Sequence, residues 1–341
     1  MCGITFTTCS GKINSSKVVY SKDILKLIIK ITQSKNNKKN IKQLLNLVWV
    51  FKNDISFLNY YKSRQERETI KICILKLKKF LLSLEGKEAE NIKDIKWIID
   101  EELKIRLNFI KLFCKNKEIT DSAIIFFKTL NSVVSSINLL ETRGRDSLGL
   151  QLSIQIDNNK ENIKFLKNQK IKNNIFIKIK KEKIFINKVY KIYNIFGSLG
   201  DNIKIILETI KKDKFILDII FQGLFRNINI IAHTRWASVG GVNLDNTHPV
   251  INIKKVHTKV PTIFSIMNGD IQNYQEIISS INKIKKVAYN NFNRSDTLAL
   301  SLLFSKKNLI KNLDEIKKEI LKIKGSFASV SISDDDISKL V

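Results

Sequence analysis

The spacing of apolar residues changes near residue 144, and this change restricts the fold more than any other feature of the sequence. Before it, from about 21 to 140, apolar residues recur every three or four positions, which predicts helices. After it, short segments such as 148–155 alternate apolar and polar residues, which predicts strands. A further strand is predicted at 3–8. The sequence therefore predicts an α+β fold that is interrupted by a helical block, residues 21–140.

Two stretches of the helical block carry strong apolar stripes. The first begins at Ser63, three residues before Glu66, a spacing typical of a capping box at a helix start. Its stripe consists of Ile70, Cys73, Ile74, Leu77, Leu81 and Leu84, and the second consists of Ala123, Phe126, Phe127, Leu130, Val133, Val134, Ile137 and Leu140. Such stripes are typical of helix-packing faces rather than of a cofactor site, so the block is predicted to pack on itself.

Beyond residue 144 the predicted elements follow one another without an internal repeat. Strands are predicted at 148–155, 175–180, 227–233, 262–267 and 326–333, and helices at 201–212, 271–284, 295–306 and 309–323. Mixed strands and helices of these lengths favour a layered α+β domain.

The chain is strongly basic, with 60 lysines and arginines against 32 acidic residues and a net charge of +28. The excess is mostly lysine, scattered among isoleucine and asparagine, as in 37–44 and 178–185. Nucleic-acid sites instead concentrate basic residues on one face, with interleaved aromatic residues. The pattern indicates a composition that is shifted along the whole chain, and no nucleic-acid partner is predicted.

The sequence carries no pattern typical of targeting, membrane insertion or metal binding. No apolar run approaches the roughly 18 residues that span a bilayer. Residues 1–10 lack the basic and apolar regions of a signal peptide. The four cysteines have no CxxC spacing, which argues against a disulfide framework and a zinc site, and the three histidines are scattered. We expect a cytoplasmic protein with no membrane partner, no metal and no cofactor.

Cys2 follows Met1 directly, and a small second residue allows an aminopeptidase to remove the methionine. The freed α-amine of Cys2 then lies within reach of its own thiol. With an ordinary pKa of about 7.7–8.0, this amine can take the thiol proton, directly or through one water. On its own, a cysteine at this position is weak support for a nucleophile, because it can be incidental.

Five further motifs follow Cys2 in order. They are Arg143-Gly144-Arg145-Asp146-Ser147-Leu148-Gly149, His233-Thr234-Arg235-Trp236-Ala237-Ser238, Asn246-Thr247-His248-Pro249, Asn268-Gly269-Asp270 and Ser295-Asp296-Thr297. With the start Met1-Cys2-Gly3-Ile4, this set resembles the class II glutamine amidotransferases, whose domain is a four-layer α/β/β/α sandwich of the N-terminal-nucleophile kind. Within that class it is most similar to the glutaminase half of the glucosamine-6-phosphate synthases, the isomerizing glutamine–fructose-6-phosphate aminotransferases. The resemblance covers about 1–10 and 141–335.

The resemblance implies that the chain hydrolyses L-glutamine to glutamate and ammonia through a thioester on Cys2. Asn268, through its amide NH₂, and Gly269, through its backbone N–H, are then the donors to the oxyanion. Donors of this kind are worth about 10²–10³ in rate each.

The substrate is expected to be held by Arg235 and Asp296. The planar fork of Arg235 suits bidentate binding of the α-carboxylate, and Asp296 is the counter-charge for the α-ammonium. Trp236 and Ser238 are expected to line the glutamine pocket. Three residues are expected to organise its floor, namely Arg143, Asp146 and Ser147.

Each residue also has a structural alternative. An Arg-Trp pair that closes a strand can be purely structural, and Asn-Gly is a common turn. Asp296 can cap the helix that follows it. The three histidines, His233, His248 and His257, are expected to be structural.

The chain departs from the resemblance in three ways. Met267 and Val239 stand where these sugar enzymes usually have histidine, and the helical block separates two motifs that are ordinarily close together. We predict one amidotransferase domain, 2–341, that contains the 21–140 insertion, is incomplete at its C-terminal end and lacks sugar-isomerase domains. The predicted acceptor of the ammonia is a sugar phosphate such as fructose 6-phosphate, bound by a partner sugar-isomerase domain or chain. The alternative is a catalytically inactive fragment that acts as a partner-binding module.

Overall fold

The computed structural model describes residues 3–12, 17–34, 37–114, 118–140, 144, 146–157, 159–167, 175–178, 186–196, 201–236, 246–252, 261–285, 295–305 and 312–334. The chain divides into two compact units. The helical unit is Lys12–Lys128, and the sheet unit combines Met1–Gly11 with Thr129–Val341.

The helical unit is built from seven consecutive helical segments and the start of an eighth. They are α1 Ser21–Gln33, α2 Lys38–Phe51, α3 Asp54–Lys62, α4 Arg64–Leu81, α5 Gly86–Trp97, a π-helical turn Ile98–Glu102, α6 Leu103–Cys114, and the first part of α7 Asp121–Leu140. The apolar stripe of α4 turns inward at Ile70, Cys73 and Leu77, all of which are buried. The stripe pattern thus predicted the packed face of this helix.

The capping box predicted at the start of α4 is only half formed. The Ser63 hydroxyl accepts the Glu66 N–H (3.2 Å), as expected for a helix N-cap. The Glu66 carboxylate does not return to Ser63, because it accepts the N–H of Ser21 at the start of α1 (2.7 Å). Glu66 therefore joins the beginnings of two helices.

The sheet unit contains two antiparallel sheets. The first has the order β1-β5-β2-β4-β3, and the second has the order β6-β7-β8. The strands are β1 Gly3–Ser10, β2 Ser147–Asp157, β3 Ile175–Lys178, β4 Ile186–Phe196, β5 Phe225–Arg235, β6 Val250–Ile251, β7 Ile263–Ile271 and β8 Gly325–Ser333. The helices are α8 Lys160–Lys167, α9 Asn202–Lys212, α10 Lys214–Phe221, α11 Tyr274–Lys285, α12 Thr297–Leu303 and α13 Leu313–Ile320.

The two sheets pack face to face, and helices cover their outer faces. The core between the sheets joins Tyr190, Ile192 and Ile231 to Phe264, Ile266, Val330 and Ile332. On the far side of the second sheet, Met267 and Ile271 pack with residues of α11 and α12. On the far side of the first sheet, Leu148 and Leu150 meet residues of α9 and α7 around a small apolar cavity. The predicted α+β fold with four layers, α/β/β/α, is confirmed.

Helix α7 differs from its prediction in two respects. From Thr129 onward it belongs to the sheet unit, and Val133 and Ile137 line a cavity with residues of β2 and α9 rather than with helices of the helical unit. Its 20 residues are also long and apolar enough to cross a membrane, so the prediction that no segment reaches that length is wrong for this helix. More than half of it is buried in the fold, as is usual for a core helix.

Candidate active site

The first residues of β1 and β2 lie next to the last residues of β5, at one end of the strands of the first sheet. Gly3 lies opposite Thr234, and its N–H donates to the Thr234 hydroxyl (3.0 Å). The Asp146 N–H donates to the Arg235 carbonyl (3.0 Å). Hydrogen bonds at this end of the strands therefore join the three predicted motifs that contain Gly3, Asp146 and Arg235. Three predicted site residues lie outside the described residues, namely Cys2, Arg143 and Ser238.

Arg235 is the last residue of β5 and is only 4% exposed. It lies directly opposite Ser147 in the sheet. Trp236 follows it and is 52% exposed. A buried arginine is thus followed directly in sequence by a half-exposed tryptophan, and a guanidinium can offer a planar fork of donors to a ligand.

Asn268 and Gly269 lie inside β7, where they pair with Ala328 and Phe327 of β8. The alternative of a simple Asn-Gly turn is therefore wrong. Gly269 has a φ of +130°, and an added Cβ would collide with the Ser326 carbonyl. Only glycine can hold this backbone shape so close to β8 without strain.

Asp296 precedes α12 and connects that helix to β7. Its Oδ1 accepts the Thr297 N–H (2.9 Å), and its Oδ2 accepts the Ile271 N–H (3.0 Å). Burial raises the pKa of this carboxyl, and the hydrogen bonds from Ile271 and Thr297 oppose that rise. The helix-cap alternative is therefore observed. The two observed hydrogen bonds leave acceptor sites for a ligand, because a carboxylate offers about four lone-pair sites.

His233 and His248 form a buried pair between the two sheets, with ring centroids 4.2 Å apart. The Nε2 atom of His233 lies 2.7 Å from the Met267 carbonyl oxygen, and the Nε2 atom of His248 lies 2.9 Å from the Thr297 hydroxyl. Burial lowers the pKa of His233 to about 3 and places that of His248 well below its usual value, and the charge of Arg235 adds to both effects. Both rings are therefore neutral at physiological pH.

These contacts connect the candidate residues through the histidine pair. His233 lies two positions before Arg235 and contacts Met267, the residue before Asn268. His248 contacts Thr297, the residue after Asp296. The structure thus brings the surroundings of Arg235, Asn268, Gly269 and Asp296 together. Sequence reasoning assigned the two histidines no place in the site, although their positions inside two motifs were the available signal. Within the described ranges, no group of three or more His, Cys, Asp or Glu residues is placed to hold a metal ion.

Among curated proteins, the chain is similar to class II glutamine amidotransferases, which confirms the resemblance that the motifs predict. It is 29% identical over 214 residues to glutamine–fructose-6-phosphate aminotransferase [isomerizing] of Buchnera aphidicola subsp. Baizongia pistaciae, covering 61% of this chain and 26% of the relative. It is 31% identical over 122 residues to the enzyme of the same name from Thermotoga maritima, covering 34% of this chain and 19% of the relative. The matches thus span about a quarter of these relatives or less. No protein-family model matches the chain.

Two solved structures match part of the chain with low TM-scores. The allosteric regulatory enzyme of purine biosynthesis gives a TM-score of 0.34 at 16% identity, over 58% of this chain and 31% of its own. The glutamine phosphoribosylpyrophosphate amidotransferase of B. subtilis, in complex with ADP and GMP, gives 0.31 at 15% identity, over 59% and 32%.

Proposed function

We propose that this chain hydrolyses the side-chain amide of L-glutamine to glutamate and ammonia, with Cys2 as the nucleophile. The proposal is supported above all by one observation. Hydrogen bonds through His233 and His248 join the end of β5, the middle of β7 and the start of α12, where the residues proposed to bind and activate glutamine lie.

The nucleophile proposed is the thiolate of Cys2 after removal of Met1, with its own α-amine as the base. The described histidines are poor bases, because a conjugate acid with a pKa of about 3, as for His233, holds a proton weakly at neutral pH. Two of the other thiols are also unsuitable, since burial raises the pKa of Cys73 to about 12 and that of Cys114 to about 11. Both would remain thiols and hence weak nucleophiles at neutral pH.

The oxyanion donors proposed are Asn268 and Gly269. Successive residues of a strand direct their N–H and C=O groups to opposite edges, so every second residue faces the same edge. Met267 and Ile271 bond to His233 and Asp296 on the edge that faces away from β8. Gly269 lies between these two residues, so alternation places its N–H on the same edge. This arrangement suits a donor aimed at a developing oxyanion.

The glutamine backbone is proposed to lie between Arg235 and Asp296. The guanidinium of Arg235 would bind the α-carboxylate through two parallel N–H bonds, and the remaining lone pairs of Asp296 would accept the α-ammonium. Trp236 would cover the ligand, with Ser238 as a further contact. Two residues would support the floor of the site, namely Arg143 and Asp146.

The reaction follows from these roles. The thiolate of Cys2 attacks the side-chain amide carbon and forms a tetrahedral oxyanion. The Cys2 α-ammonium protonates the leaving nitrogen, so that ammonia departs and a γ-glutamyl thioester remains. Water, deprotonated by the α-amine, then cleaves the thioester and releases glutamate and the thiol.

The ammonia is proposed to pass to a sugar phosphate such as fructose 6-phosphate, held by a sugar-isomerase domain or chain. The names of the curated relatives support this acceptor, and the matched region is only 26% of the first of them. We also propose a cytoplasmic location, as expected in the sequence analysis.

The decisive experiment is Cys2→Ala in the full chain, with Cys9→Ala as the matched control. We expect Cys2→Ala to abolish glutaminase turnover and covalent labelling by diazo-oxo-norleucine, whereas Cys9→Ala should be labelled once per chain, as the wild type is. Stoichiometric labelling of the Cys2→Ala chain would overturn the assignment.

A second candidate function is a partner-binding module without catalysis. It is favoured by large apolar side chains that the helical unit exposes, such as Leu75 at 65% and Leu82 at 90%. Intact-mass analysis separates the two candidates, because a chain that retains Met1 cannot present the α-amine of Cys2.

A further inference from the structure

The edge of β7 that faces β6 is only partly covered by a strand. β6 has two residues, and Val250 and Ile251 pair with Ser265 and Phe264. Backbone groups beyond this short pairing need other partners, because buried N–H and C=O groups are almost always hydrogen-bonded.

At the N-terminal end of β7, Asn252 provides the missing partners. Its side-chain oxygen accepts the Ile263 N–H (2.8 Å), and its own N–H donates to the Ile263 carbonyl (3.3 Å). Its side-chain amide also donates to the Pro261 carbonyl (2.9 Å). One residue thus completes the edge where β6 has ended.

Further along the same edge, two histidines take the place of a strand at Met267. The His233 Nε2–H donates to the Met267 carbonyl (2.7 Å), since a carbonyl can only accept. The Met267 N–H points to Nδ1 of His248 at a longer distance, 3.5 Å. His248 Nδ1 therefore carries no proton, and its Nε2–H donates to the Thr297 hydroxyl (2.9 Å). A single assignment of ring protons, with both histidines protonated on Nε2, is consistent with all three of these hydrogen bonds.

We propose that His233 and His248 are positioning residues that hold the Met267 peptide, and through it fix Asn268 and Gly269 in the geometry of oxyanion donors. This inference rests on the proposed glutaminase function. Because β6 ends before this point, the side-chain bonds at Met267 set where the next two residues of β7 lie. Neither histidine needs to exchange a proton or touch the substrate for this role.

The test compares His233→Gln with His233→Asn, with Asn252→Ala as a control, all in the full chain. Glutamine can place its amide nitrogen near the position of His Nε2, whereas asparagine carries the same group one methylene short. Asn252→Ala removes the equivalent side-chain support from the same strand edge, away from the proposed donors. The readouts are kcat and KM for glutamine, and amide hydrogen exchange along β7.

We expect His233→Asn to lower kcat by about 10- to 100-fold with little change in KM, the scale of a misplaced catalytic group. Exchange at 267–269 should rise about 2- to 10-fold, the equivalent of one hydrogen bond. His233→Gln should keep kcat and the hydrogen exchange at 267–269 close to their wild-type values. Asn252→Ala should raise exchange near Ile263 and leave kcat unchanged.

The inference is overturned if His233→Asn keeps the wild-type kcat and exchange, or if Asn252→Ala lowers kcat equally. Failure of the proposed function is distinguishable from this. A wild-type chain without glutaminase activity would refute the function, and the exchange pattern along β7 would then decide alone whether the histidines hold the strand.

Discussion

The two compact units bury their charged and polar side chains in different ways. In the helical unit, the buried Arg106 and Lys128 pair with carboxylates, with 2.6 Å from Arg106 Nη2 to Glu102 Oε1 and 2.7 Å from Lys128 Nζ to Asp54 Oδ1. In the sheet unit, the histidine pair and Asp296 bond instead to backbone groups and a hydroxyl next to the candidate motifs.

Ion pairs between side chains compensate charges that would be costly to bury alone. Hydrogen bonds from side chains to backbone N–H and C=O groups fix the path of the chain. For these residues, polar burial serves stability in the helical unit and the geometry of the candidate site in the sheet unit. Substitutions in the two units should therefore change different measured quantities.

Among the substitutions that compare the two units, the largest effect is expected from Arg235→Lys, which keeps the charge but loses the planar fork. Truncating one partner of a buried charge pair commonly costs about 2–5 kcal/mol, so KM for glutamine should rise more than tenfold. Steady-state kinetics together with the thermal unfolding midpoint will check this, and the midpoint should change little. A normal KM with normal turnover would show that Arg235 is purely structural. It would also contradict the proposal that polar burial in the sheet unit serves the geometry of the site.

An intermediate effect is expected from pH through Asp296. Its carboxyl has a raised pKa, so it gains a proton at a higher pH than an exposed aspartate and then loses its attraction for an ammonium group. Glutamine binding should therefore weaken as the pH falls toward the raised pKa of Asp296, at a higher pH than for an exposed aspartate. Calorimetry on the Cys2→Ala background measures this binding without turnover. Asp296→Asn should bind weakly at every pH, and an unchanged pH dependence in that variant would exclude Asp296 as the source.

The smallest effect on turnover is expected from Leu77→Ala in the helical unit. Leu77 is fully buried in the face of α4, and truncating such a leucine costs about 2–5 kcal/mol of unfolding free energy. Denaturant unfolding measures the loss, and kcat per folded molecule should stay at the wild-type value. A fall in kcat as large as the one expected for His233→Asn would show that the helical unit contributes to the site.

Periodic patterns in the sequence predicted much of the fold. Strand β2 was expected at 148–155 and spans Ser147–Asp157, and β8 was expected at 326–333 and spans Gly325–Ser333. Strand β4, Ile186–Phe196, was not predicted, because Lys188 and Lys191 interrupt its apolar alternation. Both lysines find partners within the sheet unit: Lys188 donates to the Asp334 carbonyl, and Lys191 pairs with Asp213 (2.9 Å). Tertiary partners of this kind are not visible in local sequence.

The candidate site was predictable as a set of motifs but not as an arrangement. Asn268-Gly269 is equally typical of a turn, and only pairing with β8 shows that it lies in a strand. Asp296 was expected either to cap α12 or to bind substrate, and its bond to Ile271 shows that one carboxylate can join the helix to β7. The pairing of His233 with His248 depends on two sheets meeting, which no local pattern encodes.

The pairing of β1 with β5 has a consequence for how the chain is made. Gly3 and Thr234 are separated by 231 residues, and β5 is the only strand that pairs with β1 among the described residues. At about 5–20 residues per second, a ribosome needs roughly 10 to 45 s to complete the partner of β1. Throughout that interval β1 has no partner strand with which to form backbone hydrogen bonds. The proposed removal of Met1 can therefore take place before the N-terminal end of the chain has folded. Synthesis order would thus let processing of the nucleophile precede assembly of the sheet that holds it.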